Sequence, residues 1–254
     1  MDYIKSIYTG WIETNDRNII SPKELDIVLP DLGIAIEFNG TYYHSEQFKD
    51  RYYHLDKTKD VESFGYRLIH VNEDEWNDKQ DIVKSRLKSI LGLSDKVYAR
   101  KCNIREIGFP KEFLEENHIQ GAGSPSSINL GLFLQDELIA VMTFSTPKFS
   151  KDYDYELVRY CSLLDITVVG GASKLLKYFV NNYKRSIVSY SDKRWSTGNL
   201  YKKLGFEYSH TSDPNYKYFK GTTSLSRYQC QKHKLKDRFP DSFDPSLTEK
   251  EIML

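Results

Sequence analysis

The sequence predicts an α/β protein of two units followed by a basic polar tail. Apolar or alternating runs of strand length recur between longer stretches with helical spacing. Turn and cap residues punctuate them: Pro30 with Gly33, then Gly65, Gly92 and Gly205. The character of the chain also changes near residue 95, so the expected boundaries are 1–95, 96–226 and 227–254.

In the first unit, residues 24–29 and 33–39 are strand-like, with Pro30-Asp31-Leu-Gly33 as the turn between them. Residues 45–64 have helical spacing, and Gly65 closes that helix. Residues 66–71 are a further strand, and 81–91 an amphipathic helix carrying Ile82, Val83, Leu87 and Ile90. Glu73-Asp-Glu75 reads as a solvated cap ahead of that helix, and 93–98 as a junction. In the second unit, 109–118 is helical, and 129–134 with 137–145 form a hairpin turning at Gln135-Asp136. Strands at 155–161 and 186–191 flank a helix over 171–183. A short helix at 199–204 ends at Gly205, and 206–209 begins a last β segment.

Bulk properties narrow the function classes. No run approaches the roughly 18 apolar residues of a membrane helix, and the start lacks the basic and apolar regions of a signal peptide. A cytoplasmic protein with no membrane partner is therefore expected. Cys102, Cys161 and Cys230 are far apart and odd in number, which favours neither a disulfide framework nor a zinc cluster. The formal charge is zero, but residues 1–97 hold 13 Lys and Arg against 18 Asp and Glu, a net −5, and the remainder carries +5. Acidic groups gathered at a metal site would make the first unit acidic and leave affinity for a polyanion to the second.

The stretch from Glu24 to His44 is the most informative. Two short strands joined by a tight turn bring Asp26 and Glu37 toward one point, and Asn39 and His44 follow at once. Acidic side chains in a half-buried hairpin are expensive to desolvate unless they hold a cation. A pair of carboxylates is what a hard divalent ion such as Mg²⁺ or Mn²⁺ needs, and a nearby imidazole adds a proton-transfer group. The expected metal ligands are Asp26 and Glu37, with Glu24 as a possible third. The expected catalytic groups are His44, Asn39, His54 and Lys57, the last two being i and i+3 on one helix face.

That spacing resembles the PD-(D/E)xK nuclease fold, with Asn39 at the place usually held by Lys. Glu37-Phe-Asn-Gly-Thr-Tyr-Tyr-His44, Tyr53-His-Leu-Asp-Lys-Thr-Lys-Asp60, Gly65-Tyr-Arg-Leu-Ile-His70 and Glu73-Asp-Glu-Trp76 together resemble phage homing endonucleases related to very-short-patch-repair (Vsr) endonucleases. In that pattern an Asp on the first strand coordinates Mg²⁺ and two His follow on the second. Here Asp26 matches the Asp and His44 the second His, while Asn39 stands at the first. The resemblance implies a restriction-endonuclease-type mixed sheet with flanking helices that cleaves double-stranded DNA.

Residues 99–220 resemble the GNAT (N-acetyltransferase) fold. Thr167-Val-Val-Gly-Gly-Ala172, opening a helix, is similar to the segment whose amides receive the acetyl-CoA pyrophosphate. Asn199-Leu-Tyr-Lys-Lys-Leu-Gly-Phe206 is similar to the second motif, with Tyr201 at the thiolate-protonating position. If acetyl-CoA binds, the resemblance assigns it to Gly170, Gly171, Ala172 and Tyr201. Thr167 departs from the usual Arg or Gln, and Glu156 is the one candidate base. A DNA-targeting role is the main expectation, with phosphate contacts from Lys193, Arg194, Lys202 and Lys203 around Trp195. Lys232 and Lys234 in the tail extend that set as a basic arm. The tail also resembles a segment that usually continues further, so a shorter or truncated form is expected. Two rivals remain: an acetyl-CoA-dependent N-acetyltransferase with a recruiting front unit, and a DNA-binding protein that has lost catalysis.

Overall fold

Residues 2–40, 52–215, 217–220, 223–240 and 243–253 are described by a computed structural model. The first unit begins with helix α1 (Asp2–Ile7) and strands β1 (Glu13–Asp16), β2 (Leu25–Leu29) and β3 (Ile34–Asn39). Helix α2 (Tyr53–Ser63), strand β4 (Arg67–Asn72) and helices α3 (Glu73–Asp78) and α4 (Gln80–Ile90) follow. The sheet order is β1-β2-β3-β4. β1 to β3 are antiparallel neighbours, and β4 lies parallel to β3 in a register that pairs Glu37 with His70 and Asn39 with Asn72. A one-turn 3₁₀ segment at Pro30–Leu32 makes the β2–β3 turn, and Gly33 closes it at φ 60°, a conformation glycine adopts without Cβ strain.

Both faces of this sheet are covered at its centre, which is why β2 and β3 are largely apolar runs rather than alternating ones. On one face Ile27, Leu29, Ile34, Ile36, Ile69 and Val71 pack against Ile4 of α1 and Ile82, Val83 and Leu87 of α4. On the other, Val28, Ala35 and Leu68 pack with Val61 of α2. Each fully buried aliphatic side chain contributes about 1.5–3 kcal/mol. The second face runs out of apolar residues toward the ends of β3 and β4, where Glu37, Asn39, His70 and Asn72 continue the row.

The second unit contains β5 (Asp95–Tyr98), β6 (Asn103–Glu106), α5 (Lys111–Asn117), β7 (Ile128–Leu134), β8 (Glu137–Ser145) and β9 (Tyr155–Ser162). It continues with β10 (Ile166–Val169), α6 (Gly171–Tyr183), β11 (Ile187–Ser189) and α7 (Asn199–Lys203). Its five-stranded sheet has the order β11-β9-β8-β7-β6, antiparallel except for the parallel pair β9/β11, while β10 pairs in parallel with β5. Ala172, Leu175, Leu176 and Phe179 form the i, i+3, i+4, i+7 stripe of α6 and enter the core beside Leu130, Leu132, Met142 and Phe144. Phe144 and Phe179 stack with ring centroids 3.7 Å apart.

Several expectations change. The junction at 93–98 contains a strand, β5, which is hydrogen-bonded to β10. Residues 206–209 form no strand. At the end of the second unit β12 (Lys217–Lys220) and β13 (Thr223–Ser226) pair antiparallel, and the polar tail carries α8 (Lys232–Arg238) and α9 (Glu249–Met253). Leu225, Cys230 and Leu235 form a small core there with Phe239, Phe243 and Ile252. Among the described residues no helix is long and apolar enough to cross a membrane.

The two units share an interface that local periodicity did not reveal. Trp195, from the second unit, is buried in the first unit's core with Ile119. Its carbonyl accepts a 2.6 Å bond from Arg67, and the Arg86 guanidinium lies 4.9 Å over its ring. Arg194 makes a bidentate pair with Glu75 at 3.1 and 2.9 Å and also holds Asp192. Glu73-Asp-Glu75 is therefore no solvated cap: Asp74 and Glu75 are buried in α3, and Asp74 takes Lys217 at 2.8 Å. Arg194→Ala strands the Glu75 carboxylate, and a loss near the lower end of the ~3–5 kcal/mol typical of broken buried pairs is expected in the denaturant midpoint. Arg194→Lys will restore little of it, because an ammonium lacks the planar fork.

Candidate active site at the end of the β3–β4 pair

Glu37 follows the Ile34-Ala-Ile36 run of β3, so its register turns it into the space under α2. It is 5% exposed, and its Oε1 accepts a 2.5 Å bond from Nζ of Lys57, itself 2% exposed. Its second oxygen, Oε2, is buried with no hydrogen-bond partner among the described residues. Burial raises the Glu37 pKa; the Lys57 ammonium opposes that rise, and the Asp26 charge adds to it. Asp26 lies one residue before the last registered β2–β3 pair, Ile27 with Ile36. Where the ladder ends, the Phe38 N–H donates to Asp26 Oδ2 at 2.7 Å, so the side chain replaces a backbone acceptor and is held beside Glu37.

Asn39, two residues along the same face, is 7% exposed. Its Nδ2 lies 3.2 Å from His70 Nδ1 and 3.2 Å from Asn72 Oδ1, and its Oδ1 is buried without a partner among the described residues. On the far side of His70, Nε2 lies 2.8 Å from Thr58 Oγ1, which in turn is 2.8 Å from the His54 carbonyl. The His54 ring packs edge-on to His70 at 5.4 Å. Each unsatisfied buried acceptor costs about 1–3 kcal/mol, and here Glu37 and Asn39 present one each on the same sheet face.

The structure thus brings Asp26, Glu37, Asn39, His54 and Lys57 to one end of the sheet. His44 lies outside the described residues. Glu24 is engaged elsewhere: its carboxylate pairs with Arg17 at 2.8 Å. Thr58 and Asn72 were not anticipated. No local pattern marks them, because their roles depend on α2 crossing β4. Among the described residues no group of three or more His, Cys, Asp or Glu side chains is placed to hold a metal. Two carboxylates and an amide oxygen nevertheless fit Mg²⁺ or Mn²⁺, which keeps several waters and takes only one or two carboxylates from a protein.

The residues expected to contact DNA separate into two kinds. Lys193, Lys202, Lys203 and Lys232 are exposed. Lys193 reaches Thr211 Oγ1 at 3.5 Å, and Lys232 donates to the Pro245 carbonyl at 2.7 Å. Lys234 is half-buried on α8. Arg194 is a correction. Burial opposes its charge, but Asp192 and Glu75 more than offset that and hold its pKa above the ordinary value, so its fork is committed to the interface rather than to phosphate.

The acetyl-CoA residues meet a different obstacle. Gly170 precedes α6 at φ 78°, and Gly171 and Ala172 open the helix. A Cβ at Gly171 would stand 2.7 Å from the Tyr160 hydroxyl and 3.0 Å from Val168, so close packing inside the unit already demands the glycine. The glycine is thus explained by packing, with no pyrophosphate needed to account for it. Tyr201 sets its ring edge-on against Phe206 at 5.6 Å. An open cleft of about 510 Å³ lies beside α6, lined by Tyr98, Arg100, Gly170, Lys174 and Lys177 among others. Lys174 is spoken for there, donating to the carbonyls of Ala99 and Cys102.

No family model, curated protein or solved structure matches the chain. The functional reading therefore rests on geometry and chemistry.

Proposed function

We propose that this chain is a Mg²⁺- or Mn²⁺-dependent endonuclease that hydrolyses phosphodiester bonds in duplex DNA, of the Vsr-like, PD-(D/E)xK kind. The observation that carries the reading is Glu37: a buried carboxylate with one oxygen on Lys57 and the other open, held beside Asp26. The element order supports it, since a helix, three antiparallel strands, a crossover helix and a parallel strand place these groups at one sheet end.

Asp26 and Glu37 would hold the ion, which when bound supplies charge neutralisation at the scissile phosphate and a more acidic water. Lys57 replaces from α2 the Lys that β3 lacks at Asn39. An ammonium carries three N–H donors, so with one on Glu37 Oε1 the other two can orient a water or a phosphate oxygen. His44 is assigned the proton transfer, and His54 a supporting position against His70. The second unit serves DNA targeting, with Lys193, Lys202 and Lys203 as phosphate contacts and Lys232 as an outlying one. Acetyl transfer gains no support, because close packing against Tyr160 and Val168 already accounts for the glycine at 171.

The test is supercoiled plasmid incubated with the full chain and Mg²⁺ or Mn²⁺. Nicked or linear product that disappears on chelation is expected. Intact plasmid with every divalent ion would overturn the reading.

A further inference from the structure

We infer that the Asn39 side-chain oxygen is a third ligand for the divalent ion, and that a relay through Asn72, His70 and Thr58 fixes the amide with that oxygen facing the site. The inference deepens the nuclease reading and rests on it. Its starting point is that an amide's oxygen and nitrogen are told apart by the partners around them.

The relay resolves itself from the helix inward. The His54 carbonyl can only accept, so at 2.8 Å the Thr58 hydroxyl must donate to it. That leaves Thr58 Oγ1 as an acceptor toward His70, so His70 Nε2 bears the hydrogen across their 2.8 Å contact. In a neutral imidazole the other nitrogen, Nδ1, is then a lone-pair acceptor. Asn39 must meet it with Nδ2, and Asn72 Oδ1 takes the second N–H of the same amide. Both hydrogens of Asn39 are consumed, and Oδ1 is turned away from the relay. It is buried and has no donor among the described residues, two residues along β3 from Oε2 of Glu37. Amide oxygens are ordinary ligands for hard divalent ions. A hydrogen-bond acceptor left bare in this position matches a cation rather than a proton donor.

Thr58 is thus a positioning residue that touches neither ion nor DNA. Thr58→Val keeps the shape of the side chain but frees His70 to carry its hydrogen on Nδ1, whereupon the Asn39 amide turns over and offers nitrogen to the site. Outer partners of this kind typically change metal affinity about 10–100-fold. The experiment is Mn²⁺ titration of the full chain by calorimetry, without DNA, on the wild type, Asn39→Leu, Thr58→Val and Thr58→Ser. Losses of about 10–100-fold in Asn39→Leu and Thr58→Val, with recovery in Thr58→Ser, are expected. Wild-type affinity in both Asn39→Leu and Thr58→Val overturns the inference while leaving the nuclease reading standing. A wild type that binds no Mn²⁺ removes both. Nitrogen-15 shifts of the His70 ring in the wild type give a readout that needs no variant: hydrogen on Nε2 is expected, and hydrogen on Nδ1 alone contradicts the relay.

Discussion

Lys57→Met is expected to destabilise the apo protein by about 3–5 kcal/mol at neutral pH, read from the denaturant midpoint, because it leaves a buried carboxylate without its counter-charge. The two side chains are 3% and 6% exposed, so little solvent screens the pair. Joining Lys57→Met to Glu37→Gln should recover most of the loss, since a neutral amide has no charge to compensate. The pH dependence has a definite sign. Burial already holds the Glu37 pKa above its ordinary 4.5, and Lys57 is the main opposing influence. Without Lys57 the folded-state value climbs further. A carboxyl raised in the folded state stabilises the fold while protonated, below the unfolded value, and that contribution is lost as pH rises through the folded value. The cost of Lys57→Met is therefore expected to be smallest in acid and to grow toward neutrality. A cost independent of pH would mean that Glu37 is solvated rather than desolvated.

Asp26→Asn is expected to lower Mg²⁺-dependent plasmid cleavage by about 10²–10³-fold, the range seen when one transition-state charge contact is lost. The substitution is chosen because an amide oxygen can still accept the Phe38 N–H that Asp26 holds at 2.7 Å. The strand end keeps its geometry and only the charge beside Glu37 disappears. Duplex binding should stay within a fewfold of wild type, because the phosphate contacts are proposed for the exposed lysines and not for Asp26. Cleavage and stability measured on the same preparation separate the two outcomes: a folded, DNA-binding, inactive variant supports the assignment, and a fully active one contradicts it.

Much of the layout was legible locally. The Ile34-Ala-Ile36 run marked β3, the stripe from Ala172 to Phe179 marked α6, and Gln135-Asp136 marked the β7–β8 turn, because each is written in a window of a few residues. The pairing of Asp26 with Glu37 followed from a short hairpin for the same reason. What was missed depends on partners far along the chain. β1 and β5 are polar strands that only their neighbours β2 and β10 define. Trp195 enters a core built mostly from residues 4–91, and Asp74 and Glu75 look like a solvated cap until Lys217 and Arg194 are seen beside them. Charge alone also misled at Arg194, where a basic residue beside an aromatic looked like a phosphate contact and is an internal clamp. In the tail, Leu235, Phe239 and Ile252 were too widely spaced to announce a core.

The most direct measurement is an anomalous difference map from crystals of the full chain soaked in Mn²⁺. A peak at the end of β3, within ligand distance of the Asp26 and Glu37 carboxylates, is the predicted result. Strong manganese density elsewhere, with Asp26 and Glu37 bare, would contradict the account.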